Sequence, residues 1–321
     1  MPKLSNRRLK ALIDSQDRLI REAFLQAIRQ HGESINLAAL AEALEANDIN
    51  RAVSIAQITP ANLFALDSAI TAAFVNGGQM IRQAAPKYAV SFGFDGRAFR
   101  AEQWARQNAA GLVVNISNEQ ADALRVMTQE RIAQGVNGRK LAREIRTVVG
   151  LSPSQIQTVN NVRADLENLS SDYFTRTLRD RRFDGIVRRA INDGTPLSQV
   201  DIDRITARYA ERALDYRANT IARTESLNAL RAGRDEGIRQ AIEQGAIAPG
   251  ATQKVWDSTG DSRVRPDHAQ MNGQSVDLNE AFVAPGGSRL MYPGDSSLGA
   301  GADQIINCRC VVDYRVDWLR G

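Results

Sequence analysis

Helical periodicity dominates the first two thirds of the chain. Over residues 4–31 the apolar positions Leu9, Leu12, Ile13, Leu19, Ile20, Phe24 and Ile28 recur every three or four residues among charged neighbours, which predicts an amphipathic helix with one face to bury. Residues 35–44 predict a second helix. Thr59-Pro60 offers a preferred entry to a third, with Thr at the N-cap and Pro in the first turn. Its stripe of Leu63, Phe64, Leu66, Ile70 and Phe74 then stops near Gly77-Gly78 or continues, weakened, towards Ala85.

Over 87–94 the period changes. Tyr88, Val90, Phe92 and Phe94 alternate with small residues ahead of Asp95-Gly96, so a short strand or extended arm is expected near 88–94. Ser117 and Gln120 have the spacing of a capping box, which predicts that a helix opens there after the apolar piece Leu112-Val113-Val114 and closes at 135–138. Helices follow over 139–149 and 153–169, the second with a Ser152/Gln155 capping box. The longest pattern, about 198–244, places Ile202, Ile205, Tyr209, Ala213, Tyr216, Ile221, Leu227, Leu230 and Ile238 on one face, with Gly233 as an expected bend. Gly245 and Pro249-Gly250 read as its end and as a linker.

Beyond Gly250 the texture changes to short strands and turns. Residues 254–257 read as a strand, Thr259-Gly260-Asp261 as a turn, and 308–316 as a final strand with Cys310, Val312, Tyr314 and Val316 on one face. Gly286-Gly287 and 294–301 read as mobile loops. The expected fold class is mainly α: long amphipathic helices followed by a small α+β C-terminal domain. Its regions are 1–150, 151–249 with the long helix, and 250–321.

The segment 254–310 also concentrates unusual chemistry, holding both cysteines, one of the two histidines, and clustered Gly and Pro. The order Arg223-Thr224-Glu225, Trp256, Asp261-x-Arg263-x-Arg265-x-x-His268, Gly273, Phe282, Tyr292-Pro293 and Asn307-Cys308-Arg309-Cys310 resembles the C-terminal domain of phage Mu F-like minor head proteins, the phage head morphogenesis family. The resemblance covers 202–316. It implies a non-catalytic protein incorporated in few copies during procapsid assembly at the portal vertex. The implied partners are the portal and other head proteins, with packaged double-stranded DNA as a further, non-sequence-specific contact. The implied location is the virion, in the head interior or at the portal vertex, after assembly in the host cytoplasm. It also implies that Arg223-Thr224-Glu225 packs against the segment from Trp256 to His268.

Charge adds one feature. The net charge is +4 and the sequence pI about 9.3, but of 41 Lys+Arg residues only Lys3, Lys10, Lys87, Lys140 and Lys254 are lysine. Arginine forms bidentate bonds to carboxylate and phosphate, which suits acidic partners or nucleic acid, although GC-rich codon usage produces the same bias. Arg176, Arg179, Arg181, Arg182, Arg188 and Arg189 form the best candidate patch for DNA or partner contact, with a solvated face as the alternative. Two cysteines one residue apart exclude a disulfide framework and point to a reducing compartment. No secretory leader and no window apolar enough to span a bilayer stand out, so no membrane partner is expected.

Two chemical constellations remain. Cys308 and Cys310 with His268, and Asp261 or Asp267 as a fourth ligand, have the donor set of a tetrahedral zinc site. The alternative is that the thiols pack as small apolar groups and no cofactor is bound. The run from Asp261 to His268 carries the parts for acid-base work, but internal Arg-carboxylate pairing accounts for the same residues. Two competing functions follow: a metal-dependent enzyme or toxin-like effector using His268, Cys308 and Cys310, and a non-specific DNA-binding module.

Overall fold

The structure is a computed structural model and describes residues 6–318 apart from Ala89, Thr259 and Asp261. The turn expected at 259–261, and Asp261 itself, lie outside the described residues. The elements run α1 (Asn6–Ser34), α2 (Leu37–Glu45), α3 (Ile49–Ala56), α4 (Phe64–Ala84), α5 (Phe99–Ala105), α6 (Gly111–Ala133), α7 (Gly138–Val148), α8 (Pro153–Glu167), α9 (Asp184–Asp193) and α10 (Gln199–Glu243). They continue with β1 (Ile247–Asp257), α11 (Pro266–Gln270), β2 (Ser275–Asp277), β3 (Phe282–Val283), β4 (Arg289–Leu290), α12 (Ala302–Ile305) and β5 (Val311–Trp318). This is the expected mainly helical chain with a small α+β end.

Local signals were followed closely at most helix starts. Asn36 caps α2 through bonds from the amides of Ala38 and Ala39, and Ser152 and Gln155 close the expected box at α8. The long helix is a single 45-residue element. Three expectations need correction, and one helix was not expected. Ser117 does not open a helix: α6 already runs through it, and its hydroxyl donates back to the carbonyl of Val113 at 2.9 Å. Among the described residues near 88–94 none joins a ladder, so of the two expected forms the strand is absent and only the arm is compatible; the backbone at Gly93 and Asp95 is bonded by the side-chain amides of Gln244 and Gln240. The linker at 245–250 is largely strand, since β1 begins at Ile247 and passes Pro249-Gly250 as an irregularity in its pairing with β5. Helix α3, capped by Asp48, had no expectation at all.

A window of mean hydropathy 1.4 also lies within Ile49–Ala84, so by length and composition one stretch there is apolar enough to cross a membrane, against the expectation. Extended residues 57–59 interrupt it, and α4 turns Leu66, Ile70, Phe74 and Ile81 into the protein core.

The chain groups into two compact units that differ from the three consecutive regions read from sequence. One comprises Phe24–Ala65 and Gly111–Ala218. It is helical and buries Leu40, Leu63, Ile116, Leu124, Leu141, Ile145, Val162 and Tyr173. Glu144 is held there by both Arg131 and Arg163, and Arg163 reaches Asp203 at 2.7 Å.

The other unit comprises Met1–Ala23, Leu66–Ala110 and Asn219–Gly321. Here α4 and α10 cross with their backbones almost touching. A Cβ on Gly77 would overlap the carbonyl of Leu230, and one on Gly233 would overlap the carbonyl of Phe74. Gly233 is therefore a contact point and not a bend. Phe74 stacks on Trp104 with ring centroids 4.7 Å apart. The same unit carries an antiparallel sheet in the order β2-β1-β5 and the β3-β4 hairpin. On β5 the buried residues are Val312, Tyr314 and Val316, the alternation expected of a strand with one face to the core, with Asp313 also buried from the other face.

Candidate functional site

The site lies where β1, α11, the approach to β5 and the last turns of α10 meet within one unit. Trp256 on β1 is fully buried and stands nearly perpendicular to two rings, His268 at 5.1 Å and Phe282 at 5.2 Å between centroids. Pro266 starts the short helix α11 and places His268 one turn in, 1% exposed. Cys308 and Cys310 lie outside the ladder, because β5 starts at Val311 and not at 308 as expected, and each is 2% exposed. Both sulfurs lie 3.6 Å from Nδ1 of His268, and the three ligand atoms fall within 4.8 Å of one another. The opposite ring nitrogen, Nε2, is 3.0 Å from Oε1 of Gln304. The Gln304 amide nitrogen donates in turn to Asp303 at 2.9 Å and Asp267 at 3.4 Å. Asp267, named in the sequence as a fourth ligand, thus serves the chain of bonds behind the histidine.

The thiols do not titrate alike. Cys308 is held well below its ordinary range by the hydrogen bond with Cys310, then by the Arg231 guanidinium and His268, against the opposing effect of burial. Cys310 keeps the shared proton and is raised.

Sequence reasoning missed the residues that brace this arrangement. Arg231 on α10, 2% exposed, donates to the carbonyls of Pro293 at 2.9 Å, Cys308 at 3.1 Å and Cys310. Arg234, one turn on, donates to the carbonyl of Val312 and lies over the ring of Tyr314. Tyr314 donates to Asp235, which also accepts from Arg239. The signal was present: Arg231 and Arg234 fall on the apolar stripe through Leu227, Leu230 and Ile238, where a charged residue is buried only if it is paired. Lys254 is likewise fully buried, donates to Met291 O at 2.8 Å, and is pushed down to about 8 by burial.

The other motif residues occupy varied places. Thr224 is buried and its hydroxyl accepts from the amide of Asn307 at 3.1 Å, so the Arg-Thr-Glu run meets the cysteine loop and not, through this residue, the segment from Trp256 to His268. Arg223 is exposed and faces Asp17 at 4.0 Å. Glu225 is partly buried, and desolvation pushes its carboxyl up to about 7. Arg265 donates to the carbonyl of Ile306, while Arg263 is exposed and Arg309 partly so. Gly273, at φ +82, turns the chain so that its amide meets Trp256 O at 2.8 Å, and Asn307 adopts φ +57 immediately before Cys308. Tyr292 is buried. Asp295 ties the loop expected to be mobile, accepting from the amides of Met291 and Ser297.

The arginine patch is not a free face. Arg176 pairs with Asp165 at 2.8 Å, Arg179 with Asp184 at 3.1 Å and Arg182 with Asp180 at 2.6 Å, while Arg188 lies over the Phe174 ring. Arg181 and Arg189 are exposed. The six do not share one helix, because 3-10 turns at Ser171–Thr175 and Arg181–Phe183 interrupt the segment.

Residues 182–313 match the family described as Phage Mu protein F like protein. Over these residues the chain is similar to the phage Mu F-like family. The minor head protein GP7 of Bacillus phage SPP1 is 30% identical over 101 residues, which cover 32% of this chain and 30% of that relative. The match thus spans under a third of the curated relative's length. No solved structure matches. The Mu F-like segment takes in α9, all of α10, both cysteines and His268, and it leaves the first 181 residues outside.

Proposed function

We propose that the protein is a structural, non-catalytic minor component of a phage head, incorporated at the portal vertex during procapsid assembly. The Mu F-like match over 182–313 carries this reading. The way the motif spends its polar groups supports it. Arg231, Arg234, Lys254 and Arg265 all end on backbone carbonyls, so their charge braces loops in place of lining a cleft for a reacting molecule. Phe99 at 83% exposure, Val200 at 76% and Phe64 at 71% stand in solvent and suit contact with neighbouring head proteins.

Procapsids assembled by co-expression with the portal and major head proteins of the same phage should contain the protein in few copies, and particles assembled without the portal should lose it. Its absence from purified particles overturns the reading. DNA binding would fall to Arg181, Arg188 and Arg189, the three members of the patch outside the carboxylate pairs of Arg176, Arg179 and Arg182. Reversing these three to Glu should lower the slope of log affinity against log salt for duplex DNA by about one for each phosphate no longer neutralised. An unchanged slope removes DNA from the proposal.

A further inference from the structure

We propose that His268, Cys308 and Cys310 bind a zinc ion that locks the approach to β5 onto α11, independently of any role in head assembly. Tetrahedral zinc with Zn–S of about 2.3 Å and Zn–N of about 2.0–2.1 Å sets each S···N edge at about 3.5–3.6 Å. Both sulfurs stand 3.6 Å from Nδ1. Hydrogen bonding alone accounts for one of these distances and not the pair. With Nε2 directed at a carboxamide oxygen, the ring offers a single lone pair at Nδ1, and one lone pair accepts one S–H along its axis. Two sulfurs arranged equally about that lone pair describe the corner of a coordination polyhedron.

The surroundings are those of a metal-bound imidazole. Gln304 Oε1 fixes the tautomer by accepting from Nε2, and Asp267 and Asp303 fix Gln304, a chain of support of the kind that orients histidine ligands. Arg231 pins the carbonyls of both cysteines, which holds the two sulfurs on one side of the chain, and its positive charge faces the thiolates that a soft cation requires. Three protein ligands leave a fourth position for water or another exogenous donor. Burial of all three ligands makes the ion a staple for a loop-rich end of the chain.

The test uses untagged full-length protein purified under reducing conditions without chelator. Mass spectrometry for metals should find one zinc per chain, and cobalt(II) exchanged into the site should show thiolate-to-metal charge-transfer absorption with tetrahedral ligand-field bands. C308S and C310S should each lose the ion. Should either fail to fold, Gln304→Ala keeps every ligand and should weaken zinc binding by about 10- to 100-fold in a competition titration against a chromogenic chelator. Folded wild-type protein that carries no metal and takes up neither zinc nor cobalt overturns the site, as does zinc retained undiminished in both cysteine variants.

Discussion

Glu225 shows what burial does to one side chain. Its carboxyl is pushed from the ordinary 4.5 up to about 7 by desolvation, so the folded protein holds a proton that the unfolded chain has released. Between those values the native state binds more protons, and stability falls as pH rises through about 4.5 to 7. The loss is of order 1–3 kcal/mol once the group is ionised. Glu225→Gln should therefore flatten the urea midpoint across this window and stabilise the protein at pH 8, with little change at pH 4. A midpoint that keeps its slope in the variant would count against the assignment. Arg231 makes the opposite case, a buried charge whose two terminal nitrogens donate to three carbonyls. Removing it strands three buried carbonyls, so Arg231→Ala should cost about 3 kcal/mol or more, and Arg231→Lys should recover only part because an ammonium cannot span the same fork. Denaturant unfolding with a shift below about 1 kcal/mol for the alanine variant would show that the guanidinium is replaceable by water.

Elements were legible in sequence where the cause is local. The Ser152/Gln155 box and the 3.6-residue stripe of α10 each act within one or two turns, and both stand where the pattern put them apart from Tyr216, which is 55% exposed. Ser117 and Gln120 carry the same signature and mislead, because α6 enters that stretch already wound and Gln120 turns inward to meet the amide of Ile58. The alternation at 88–94 forms no ladder, because Gln240 at the end of α10 and Gln244 just beyond it, more than 140 residues away, bond that backbone, and no local window contains them. The cysteines and histidine were readable as a donor set, whereas Gln304 and Arg231 become part of the site only through folding. Glycine illustrates the same divide in energies. Gly233 reads as a weak point in a helix, yet its missing Cβ admits the carbonyl of Phe74. Gly233→Ala should destabilise by about 1–3 kcal/mol or more through overpacking. Gly32 in α1 has open space around it, and Gly32→Ala should stabilise by about 0.5–1 kcal/mol through helix propensity alone. Thermal melts of the two variants should move in opposite directions; parallel shifts would mean that α4 and α10 are not close-packed in solution.

At the scale of the whole molecule, the Mu F-like segment and the units of packing do not coincide. The family match begins at residue 182, but the unit that holds the cysteine site also needs 66–110, and α10 contributes its first half to one unit and its second half to the other. Without α4, the C-terminal half of α10 would present Leu230, Gly233 and Gly237 to water, and without Trp104 and Phe74 the same unit has no aromatic stack at that crossing. Without α8, the N-terminal half loses the Arg163–Asp203 pair and the bond from Gln155 to Ala213 O. An apolar helix face left unpaired is an aggregation surface, and the small sheet, with strands as short as two residues, buries too little to compensate. A fragment of residues 182–321 should therefore express as aggregate or as a species that binds hydrophobic dye and melts without a cooperative transition, whereas the full chain melts cooperatively. Supplying the first 181 residues as a separate polypeptide during co-expression should recover soluble complex. A fragment that is monomeric on its own and unfolds in one sharp transition would show that the Mu F-like segment is self-sufficient, and that the preceding helices are attached to it for function and not for folding.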